Sequence, residues 1–327
     1  MSGAGINESG PEARMLADIG GTHARFAWQP GPGEALADFV TLECAEFARL
    51  ADAVRHALAR WGRRAPPECA IAIATAVSGD HVRMTNLEWE FSIAQLRDEF
   101  GFRYLKVLND FSALAHAVPT LSMTDLHRVG GGTAAPDAAI AVLGPGTGLG
   151  VSGLIPDGRG GWRVLESEGG HTTLSGSTAL ERDVLAKLAA QHTHVSAERV
   201  LSGQGLVNLH AALWSIMHPD AARPSLAPAA IAQAALVATD EMCLKTVDLF
   251  CAFLGGVAGN LALTLGARGG VYLGGGIVPR LKGLLAASAF RARFESKGRL
   301  ASYLAEVPVF VIDARESPAL RGAAQAL

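Results

Sequence analysis

The sequence predicts an α/β fold that contains two copies of one strand-and-helix pattern, in two lobes with a cleft between them. Two observations lead to this prediction. Each copy begins with two short apolar segments joined by a turn that contains glycine and threonine, at 20–22 and at 144–148. Each copy then continues through a third strand, helices and further strands in a similar order. The second copy is larger because it contains additional helical segments.

The first copy follows a flexible tail that is predicted at residues 1–13. Apolar residues recur at intervals of three and four from Phe47 to Trp61, which predicts an amphipathic helix. The run 69–75 is almost entirely apolar, as is typical of a strand buried on both faces. Ser92 and Gln95 have the spacing of a capping box and predict a helix start. The predicted strands are 15–19, 24–28, 38–42, 69–75 and 104–108, and the predicted helices are 47–61, 92–100 and 111–118.

In the second copy, strands are predicted on both sides of the 144–148 turn. The predicted strands are 139–143, 149–155, 162–165, 271–273 and 307–312, and helical stretches are predicted near 178–191, 204–217 and 228–265 and beyond Pro279. Glycine, asparagine and threonine interrupt the apolar stretch 250–265, which is too short to span a bilayer. It predicts a buried helix, with a subunit interface as the open alternative. We therefore expect a small lobe at 14–110, joined by the C-terminal segment from about 305 to 327, and a larger lobe at 111–304.

Composition limits the classes of function. Of 327 residues, 49% are hydrophobic and 18% are charged, which indicates a folded protein with a large core. The 28 Lys and Arg against 31 Asp and Glu leave a net charge of −3, so no basic surface for a nucleic acid is expected. The N-terminal residues have neither the basic start nor the apolar core of a signal peptide. The four cysteines form no metal-binding pair, which favours a reducing compartment. We expect a cytoplasmic protein that binds neither nucleic acid nor membrane.

The glycine-rich segment 144–150 invites comparison with the dinucleotide-binding motif. That motif leads from a strand into a helix, whereas 149–155 is predicted to be a strand, so a Rossmann site is disfavoured. Two turns at matching places can instead direct backbone N–H groups and a threonine hydroxyl toward phosphate groups. The alternative is that both are ordinary hairpin turns that need no ligand.

Asp18 comes just before the first turn, on an otherwise apolar strand. A carboxylate at this place can hold a Mg²⁺-bound water beside a phosphate. Two alternatives stay open: Asp18 accepts hydrogen bonds from the amides of the turn, or it pairs with Arg25 across the hairpin.

Six segments occur in order along the chain: DIGGTHAR at 18–25, LNDF at 108–111, GTGLG at 146–150, EGGH at 168–171, SAERVLSG at 196–203 and GGGIVPR at 274–280. Together they resemble the bacterial glucokinase family over nearly the whole chain. The resemblance implies the duplicated actin-like ATPase (ribonuclease H-like) fold, in which ATP and glucose meet in an interdomain cleft. The C-x-C-G-x-x-G-C segment of zinc-containing relatives is absent, which favours the zinc-free branch.

The resemblance implies that Asp110 is the catalytic base, which removes a proton from a sugar hydroxyl. From the residues alone, Asp110 ends an apolar strand and starts a helix, so a helix N-cap is the alternative. The glucose-binding residues implied by the resemblance are Asn109, Glu168, His171 and Glu198. Two other readings stay open: Glu198 is a solvated carboxylate, or Asp110, Glu168 and His171 form a metal triad.

The same resemblance implies that ATP binds to both glycine turns and to the triglycine after strand 271–273. The implied nucleotide-binding residues are Asp18, Ile19, Gly20, Gly21, Thr22, Gly146, Thr147, Gly148, Gly274, Gly275 and Gly276. Mg²⁺ is expected to arrive with ATP, with no direct protein ligand and with Asp18 acting through water. From the residues alone, the triglycine is fully explained as a strand-to-helix turn.

The expected reaction is ATP-dependent phosphorylation of the glucose 6-hydroxyl, which gives glucose 6-phosphate and ADP. The alternatives are a kinase for mannose or fructose, and a non-catalytic sugar-binding regulator. Too few residues precede the first strand for a helix-turn-helix, and Asp110 is present, which favours catalysis. The departures from the family pattern at His23, Pro145 and Ala76-Val77 bear on substrate affinity rather than reaction type.

If the chain assembles into an oligomer, the expected form is a homodimer.

Overall fold

The computed structural model describes residues 12–85 and 87–327, and the chain divides into two compact units. Unit 1 contains the chain up to Leu121 together with Ala314–Leu327, and unit 2 contains Ser122–Asp313. The predicted tail at 1–13 lies outside the described residues except for its last two positions. The division places residues 111–121 in unit 1, whereas the sequence predicted a boundary after Asp110. The segment that returns to unit 1 begins at Ala314 rather than near residue 305.

Unit 1 is built on a five-stranded mixed sheet. Its strands are β1 (Arg14–Ile19), β2 (His23–Gln29), β3 (Ala37–Glu43), β4 (Glu68–Ile73) and β7 (Tyr104–Asn109), with a separate hairpin of β5 (His81–Arg83) and β6 (Glu90–Ser92), and its first helices are α1 (Leu50–Trp61), α2 (Ile93–Phe100) and α3 (Asp110–Ala117). The sheet order is β3-β2-β1-β4-β7. The three strands β3, β2 and β1 pair antiparallel, whereas β1, β4 and β7 run parallel. The predicted hairpin around Gly20 is therefore confirmed.

The central strands of this sheet are buried on both faces. In β4, the residues Cys69–Ile73 are all buried, which confirms the prediction from its apolar run. Met15 and Ile71 pack in one apolar cluster with α1, whereas Leu16 and Ala70 pack in another with Leu320. Successive side chains of a strand point to opposite faces, so these two clusters cover the two sides of the sheet.

Unit 2 is built on a six-stranded sheet of order β11-β10-β9-β12-β13-β8. Its strands are β8 (Leu126–Arg128), β9 (Ile140–Pro145), β10 (Leu149–Pro156), β11 (Trp162–Ser167), β12 (Val271–Leu273) and β13 (Val309–Ile312), and its helices are α4 (Ala179–Ala189), α5 (Gly203–Met217), α6 (Pro228–Leu236), α7 (Glu241–Leu265), α8 (Val278–Ala287), α9 (Phe290–Glu295) and α10 (Ala301–Ala305). The strands β11, β10 and β9 pair antiparallel, and β9, β12 and β13 run parallel. This repeats the pairing of β3, β2, β1, β4 and β7, so the predicted duplication is confirmed.

Some elements differ from the sequence prediction. The stretch 228–265 is two helices rather than one, because Asp240 caps a new helix start: its Oδ1 accepts from the N–H of Cys243 at 2.9 Å. The hairpin β5–β6, the edge strand β8 and the helices α9 and α10 were not predicted. Each of these is three to six residues long, which is too short to show an apolar period.

Helix α7 is the core helix of unit 2. Among the described helices, it is the one whose length and apolar composition would allow it to cross a membrane, but 67% of its most apolar window is buried inside the protein. Phe250, Phe253 and Leu254 are each at most 2% exposed. The prediction of a buried helix at 250–265 is confirmed, and the helix begins earlier, at Glu241.

The last helix, α11 (Pro318–Gln325), was also not predicted, and it completes unit 1. Gly322 lies directly against the carbonyl oxygen of Ala113 in α3, where a Cβ atom would overlap the backbone. This close approach explains why α3 belongs to unit 1, beyond the boundary predicted after Asp110.

We expect Gly322→Ala to destabilise unit 1 by about 3 kcal/mol, because the added methyl group overlaps the backbone of α3. The matched control is Gly283→Ala in α8, where the added methyl meets no atom within 4 Å. That change should raise the free energy of unfolding by about 0.5–1 kcal/mol, since alanine favours a helix. Urea unfolding of both variants measures the difference, and equal stabilities would contradict the packing described.

Candidate active site

Asn109 and Asp110 lie where β7 ends and α3 begins. Asn109 is the helix N-cap: its Oδ1 accepts from the N–H groups of Phe111 at 2.9 Å and Ser112 at 3.4 Å. Its Nδ2 donates to the carbonyl oxygen of Thr75 at 3.2 Å. Asp110 is the first residue of α3 and accepts from the Phe111 N–H at 3.0 Å. The N-cap is therefore Asn109 rather than Asp110.

Asp110 follows directly on the carboxyl end of a parallel strand. Asn109 stands in register with Ile73, so β7 and β4 end together. In open α/β sheets, ligands bind beyond the carboxyl ends of the parallel strands. Asp110 is only partly buried at this edge, a position that suits a group which must meet a ligand.

Glu168 and His171 flank the short turn Gly169–His171. The Nε2 atom of His171 lies 4.0 Å from Oε2 of Glu168, and both side chains are more than half exposed. Gly170 is buried against the carbonyl oxygen of Leu149, where a Cβ atom would overlap it. The two glycines therefore let the turn pack on β10 while the side chains of Glu168 and His171 lie side by side and exposed.

Glu198 is attached to the second glycine turn, 144–148. Its Oε2 accepts from the N–H of Leu149 at 2.9 Å, and a Cβ atom on Gly148 would overlap its carboxylate. Thr173 and Ser196 form an isolated β-bridge that joins the segment of Glu198 to the turn of Glu168. Glu198 is therefore a half-buried, hydrogen-bonded carboxylate, and the reading of it as a solvated one is wrong.

The triglycine 274–276 packs on the same turn. The N–H of Gly274 donates to the carbonyl oxygen of Leu143 at 2.9 Å, and Gly144 lies directly against the backbone of Gly274. Gly275 has φ of +79° and lies against the carbonyl oxygen of Pro145. The two segments of unit 2 that were predicted to bind nucleotide are therefore in contact with each other.

The start of helix α5 also reaches the second glycine turn. The N–H of Gly203 donates to the carbonyl oxygen of Gly146 at 2.9 Å, and the N–H of Gly146 donates to Gly148 at 2.8 Å within the turn. The N-terminus of a helix carries a partial positive charge and favours anions. The N-terminus of α5 therefore lies at the second glycine turn, a contact between distant segments that no local sequence pattern marks.

In unit 1, the first glycine turn is held by backbone hydrogen bonds. The N–H of Gly20 donates to His23 at 2.9 Å, and the carbonyl oxygen of Thr22 accepts from Cys44 at 2.8 Å. The Oδ2 atom of Asp18 accepts from Arg25 at 3.3 Å, so the predicted cross-hairpin pair is present.

Asp18 has a second partner that comes from the far end of the chain. The hydroxyl of Ser317 donates to its Oδ2 at 2.8 Å, and the Asp18 side chain is only 14% exposed. Sequence reasoning missed Ser317, and it missed the carbonyl of Thr75 and the N–H of Leu149 for the same reason. Each acts through a contact between distant segments, and no local pattern marks such a contact.

Each unit therefore assembles part of the predicted site. Unit 1 places Asp18 and the first turn on the β1–β2 hairpin, and Asp110 at the end of β7. Unit 2 gathers Glu168, His171 and Glu198 around the second turn. Within the residues that the structure describes, no three His, Cys, Asp or Glu side chains group as a metal site, so the metal triad has no support. His23, the residue after the first turn that departs from the family pattern, has its Nε2 atom 3.0 Å from Oε1 of Glu43.

Helix α3 also carries His116, a half-buried titratable group. Burial, and then the nearby Lys106 ammonium, lower the pKa of His116 from 6.5 to about 4. Both causes disfavour the imidazolium. The folded protein therefore holds this histidine neutral over the range where an exposed histidine gains its proton.

Comparisons with known proteins identify the family to which the chain is similar. A sequence model of the glucokinase family matches residues 15–327. The chain is 49% identical to a glucokinase of Chromobacterium violaceum over 98% of its own length and 90% of that protein. It is 50% identical to a glucokinase of Aromatoleum aromaticum over 96% and 94% of the two chains. A crystal structure of glucokinase from an Antarctic psychrotroph superposes with a TM-score of 0.86 at 36% identity, covering 97% of this chain and 98% of that one.

The pKa of His116 makes stability fall in acid. Between pH 6.5 and about 4, His116 is protonated in the unfolded chain but stays neutral in the folded chain. The free energy of unfolding that the protein has above pH 6.5 therefore decreases as the pH falls through this range. We expect the wild type to lose about 1–3 kcal/mol more than His116→Gln between pH 7 and pH 4. Urea unfolding across this range measures the loss, with the exposed His127→Gln as control. Parallel curves for wild type and His116→Gln would contradict the assignment.

The contact between the triglycine and the second turn predicts a difference between two neighbouring glycines. Gly275→Ala places a methyl group on the Pro145 carbonyl at a positive φ and should destabilise unit 2 by about 1–3 kcal/mol. Gly276→Ala meets no atom within 4 Å and should change stability by less than about 0.5 kcal/mol. Thermal unfolding distinguishes the two, and equal effects would refute the packing.

Proposed function

The chain belongs to the glucokinase family and phosphorylates glucose with ATP, and from this premise we propose that Asp110 is the general base that activates the 6-hydroxyl of glucose. One observation supports this assignment most strongly: Asn109 provides the cap of α3, so the Asp110 carboxylate is not needed as the N-cap at the carboxyl end of β7. A general base must come within hydrogen-bond reach of the hydroxyl proton, and a carboxylate at this edge meets that requirement.

Among the described residues, one N–H of the Asn109 side-chain amide has no acceptor and can donate to a sugar. Its Oδ1 accepts from two backbone N–H groups, and one hydrogen of Nδ2 is donated to Thr75. The second hydrogen of the amide is left to donate to a sugar oxygen. We propose that Asn109 positions glucose beside Asp110 through this bond.

Glu168, His171 and Glu198 supply the remaining recognition of glucose in our proposal. A carboxylate accepts from sugar hydroxyls, and an imidazole can donate or accept. Glu198 uses Oε2 for the Leu149 N–H, which leaves Oε1 for a hydroxyl. A site built to pair each hydroxyl discriminates strongly against sugars that lack one, because buried polar groups are then left unpaired.

We propose that the glycine turns and the triglycine bind ATP. Within the described residues, the N–H groups of Gly21 and Thr22 donate to no protein acceptor, so they are free for a phosphate oxygen. The start of α5 beside Gly146 adds the partial positive charge of a helix N-terminus. The contact between the triglycine and the second turn brings the proposed adenosine-binding segment next to a phosphate-binding one.

We propose that Mg²⁺ enters the site bound to the nucleotide, with Asp18 beside it. Among the described residues no cluster of acidic ligands is present, and Mg²⁺ usually keeps several waters and binds substrate phosphates. Both partners of Asp18 use its Oδ2, so Oδ1 can accept from a metal-bound water. When bound, the ion would neutralise charge on the phosphate oxygens.

In the proposed reaction, the Asp110 carboxylate accepts the proton of the 6-hydroxyl as its oxygen attacks the γ-phosphorus. The bond from the γ-phosphorus to the bridging oxygen breaks, and ADP leaves. The protein contributes mainly position and charge, because phosphoryl transfer asks little covalent chemistry of it. The backbone N–H groups of the two turns stabilise the negative charge on the phosphates throughout.

We also propose that the enzyme works in the cytoplasm. All four cysteines, at 44, 69, 243 and 251, are buried free thiols in the structure. Burial raises the pKa of Cys44 and of Cys243 to about 11, which keeps both protonated and unreactive. Free thiols and a supply of ATP both fit a reducing compartment.

We expect Asp110→Asn to lower kcat by about 10²–10⁴-fold, because the amide cannot accept the hydroxyl proton. The dissociation constant for glucose should change by less than about tenfold, because the cap at Asn109 and the other sugar-binding residues are intact. ADP release with and without glucose measures kcat, and calorimetry measures binding. The matched control is Asp98→Asn, an exposed carboxylate of the same unit that should behave as the wild type.

Near-normal turnover in Asp110→Asn would remove Asp110 from the role of base. Wild-type protein that binds glucose and releases no ADP from ATP and Mg²⁺ would reject the kinase itself. The same assay with mannose and fructose determines the selectivity, and a higher kcat/KM for either sugar than for glucose would contradict the proposed substrate.

A further inference from the structure

Unit 2 contains a cavity of about 310 Å³ beside the turn that carries Glu168 and His171. We call it the α7 cavity, because Phe253, Val257 and Leu261 of that helix form part of its lining. Its hydroxyl-bearing lining residues are Ser167, Thr172, Thr173, Ser175, Ser177 and Thr264. Apolar walls with several polar groups are typical of small-molecule sites, and this volume lies at the small end of their range.

Two cationic side chains line the α7 cavity, Arg293 from α9 and Lys297 just after it. The guanidinium of Arg293 donates to Oε2 of Glu181 at 3.0 Å through Nη2. Its Nε–H is buried and has no hydrogen-bond partner among the described residues. Lys297 Nζ donates to the carbonyl of Gly256 at 3.0 Å and to Oδ1 of Asn260 at 2.7 Å, and both acceptors are neutral.

The charges around the α7 cavity do not balance. Glu181 is the carboxylate paired with Arg293, and its Oε2 also accepts from the backbone N–H groups of Ser177 and Thr178. Burial, and then the Arg293 guanidinium, lower the pKa of Lys297. An anion between the two cations would satisfy the buried Nε–H and offset their repulsion.

We propose that the α7 cavity is a second ligand site, which binds a small phosphorylated sugar. The phosphate pairs with Lys297 and Arg293, and the sugar hydroxyls bond to the serine and threonine hydroxyls of the lining. The choice of a sugar phosphate rests on the proposed function, since the product of that reaction is such a molecule. The cavity adjoins the residues assigned to glucose without including them: Gly169 and Ala197 line it, whereas Glu168, His171 and Glu198 are not among its described lining residues.

The α7 cavity also shares structure with the glucose turn. Ser167 Oγ accepts from the N–H of Gly169 at 2.9 Å, and Thr172 Oγ1 donates to the Gly169 carbonyl at 2.9 Å. These two residues line the cavity, and both of their hydroxyls bond to the backbone of Gly169, the residue that directly follows Glu168. A ligand bonded to them therefore changes the affinity for glucose, and glucose changes the affinity for the ligand by the same factor.

The test is calorimetric titration of glucose 6-phosphate into the full chain at saturating glucose, without ATP. Glucose then competes for the product site, so the remaining binding reports the second site. We expect one molecule to bind per chain, and at least tenfold weaker binding to Lys297→Met, which loses the charge and keeps the side-chain length. Lys187→Met, an exposed lysine of α4, should bind as the wild type does.

Absence of binding at millimolar glucose 6-phosphate, or equal binding to Lys297→Met and wild type, would overturn the proposal. If Lys297→Met does not fold by circular dichroism, Lys297→Gln replaces it. Inorganic phosphate is titrated in parallel, and binding as tight as that of glucose 6-phosphate would refute the sugar part. A chain that releases no ADP and still binds glucose 6-phosphate in a Lys297-dependent way would reject the kinase function and support the cavity. A chain that phosphorylates glucose but shows no Lys297-dependent binding of glucose 6-phosphate would support the kinase function and reject the cavity as a ligand site.

Discussion

Four segments that are distant in the sequence pack against the backbone from Gly144 to Leu149. The positions of the candidate site residues of unit 2 depend on these contacts. The triglycine lies against Gly144 and Pro145, α5 begins at Gly146, Glu198 binds the Leu149 N–H, and Gly170 covers the Leu149 carbonyl. A Cβ atom at Gly144, Gly148, Gly170 or Gly275 would overlap another group. Glycine is therefore required here by packing as well as by the turn.

This shared backbone links groups with different proposed roles. Glu198, which we propose binds sugar, accepts from the N–H of Leu149, directly after the turn that we propose binds phosphate, and the turn of Glu168 packs on the same residue. A shift of β10 at Leu149 would move both sets of groups together. Interfaces packed this tightly move between discrete arrangements rather than deforming continuously, so the segments proposed to bind sugar and nucleotide are mechanically connected within unit 2.

The sequence was sufficient for the repeated strands, because short apolar segments and glycine turns are local signals, and the roles of the candidate residues stay predictions. Short apolar segments marked β1, β2, β9 and β10, and the turns between them followed from glycine. It was insufficient for α11, because eight residues are too few to establish a helical period, and for Ser317, whose partner is 299 positions away. The sequence indicated Glu198 as a sugar-binding residue and left a solvated carboxylate open as the alternative, since a carboxylate in a polar stretch usually faces solvent. Its hydrogen bond to Leu149 exists only after the chain has folded.

The order of the chain determines when unit 1 can be completed during synthesis. Helix α11 and Ser317 follow unit 2 in the chain, and they pack on α3 and on Asp18, which precede unit 2. Unit 2 is contiguous from Ser122 to Asp313 and can collapse while translation continues. A nascent polypeptide that stops before α11 therefore keeps an open apolar face at Leu16 and Ala70, which marks it for chaperones and proteases.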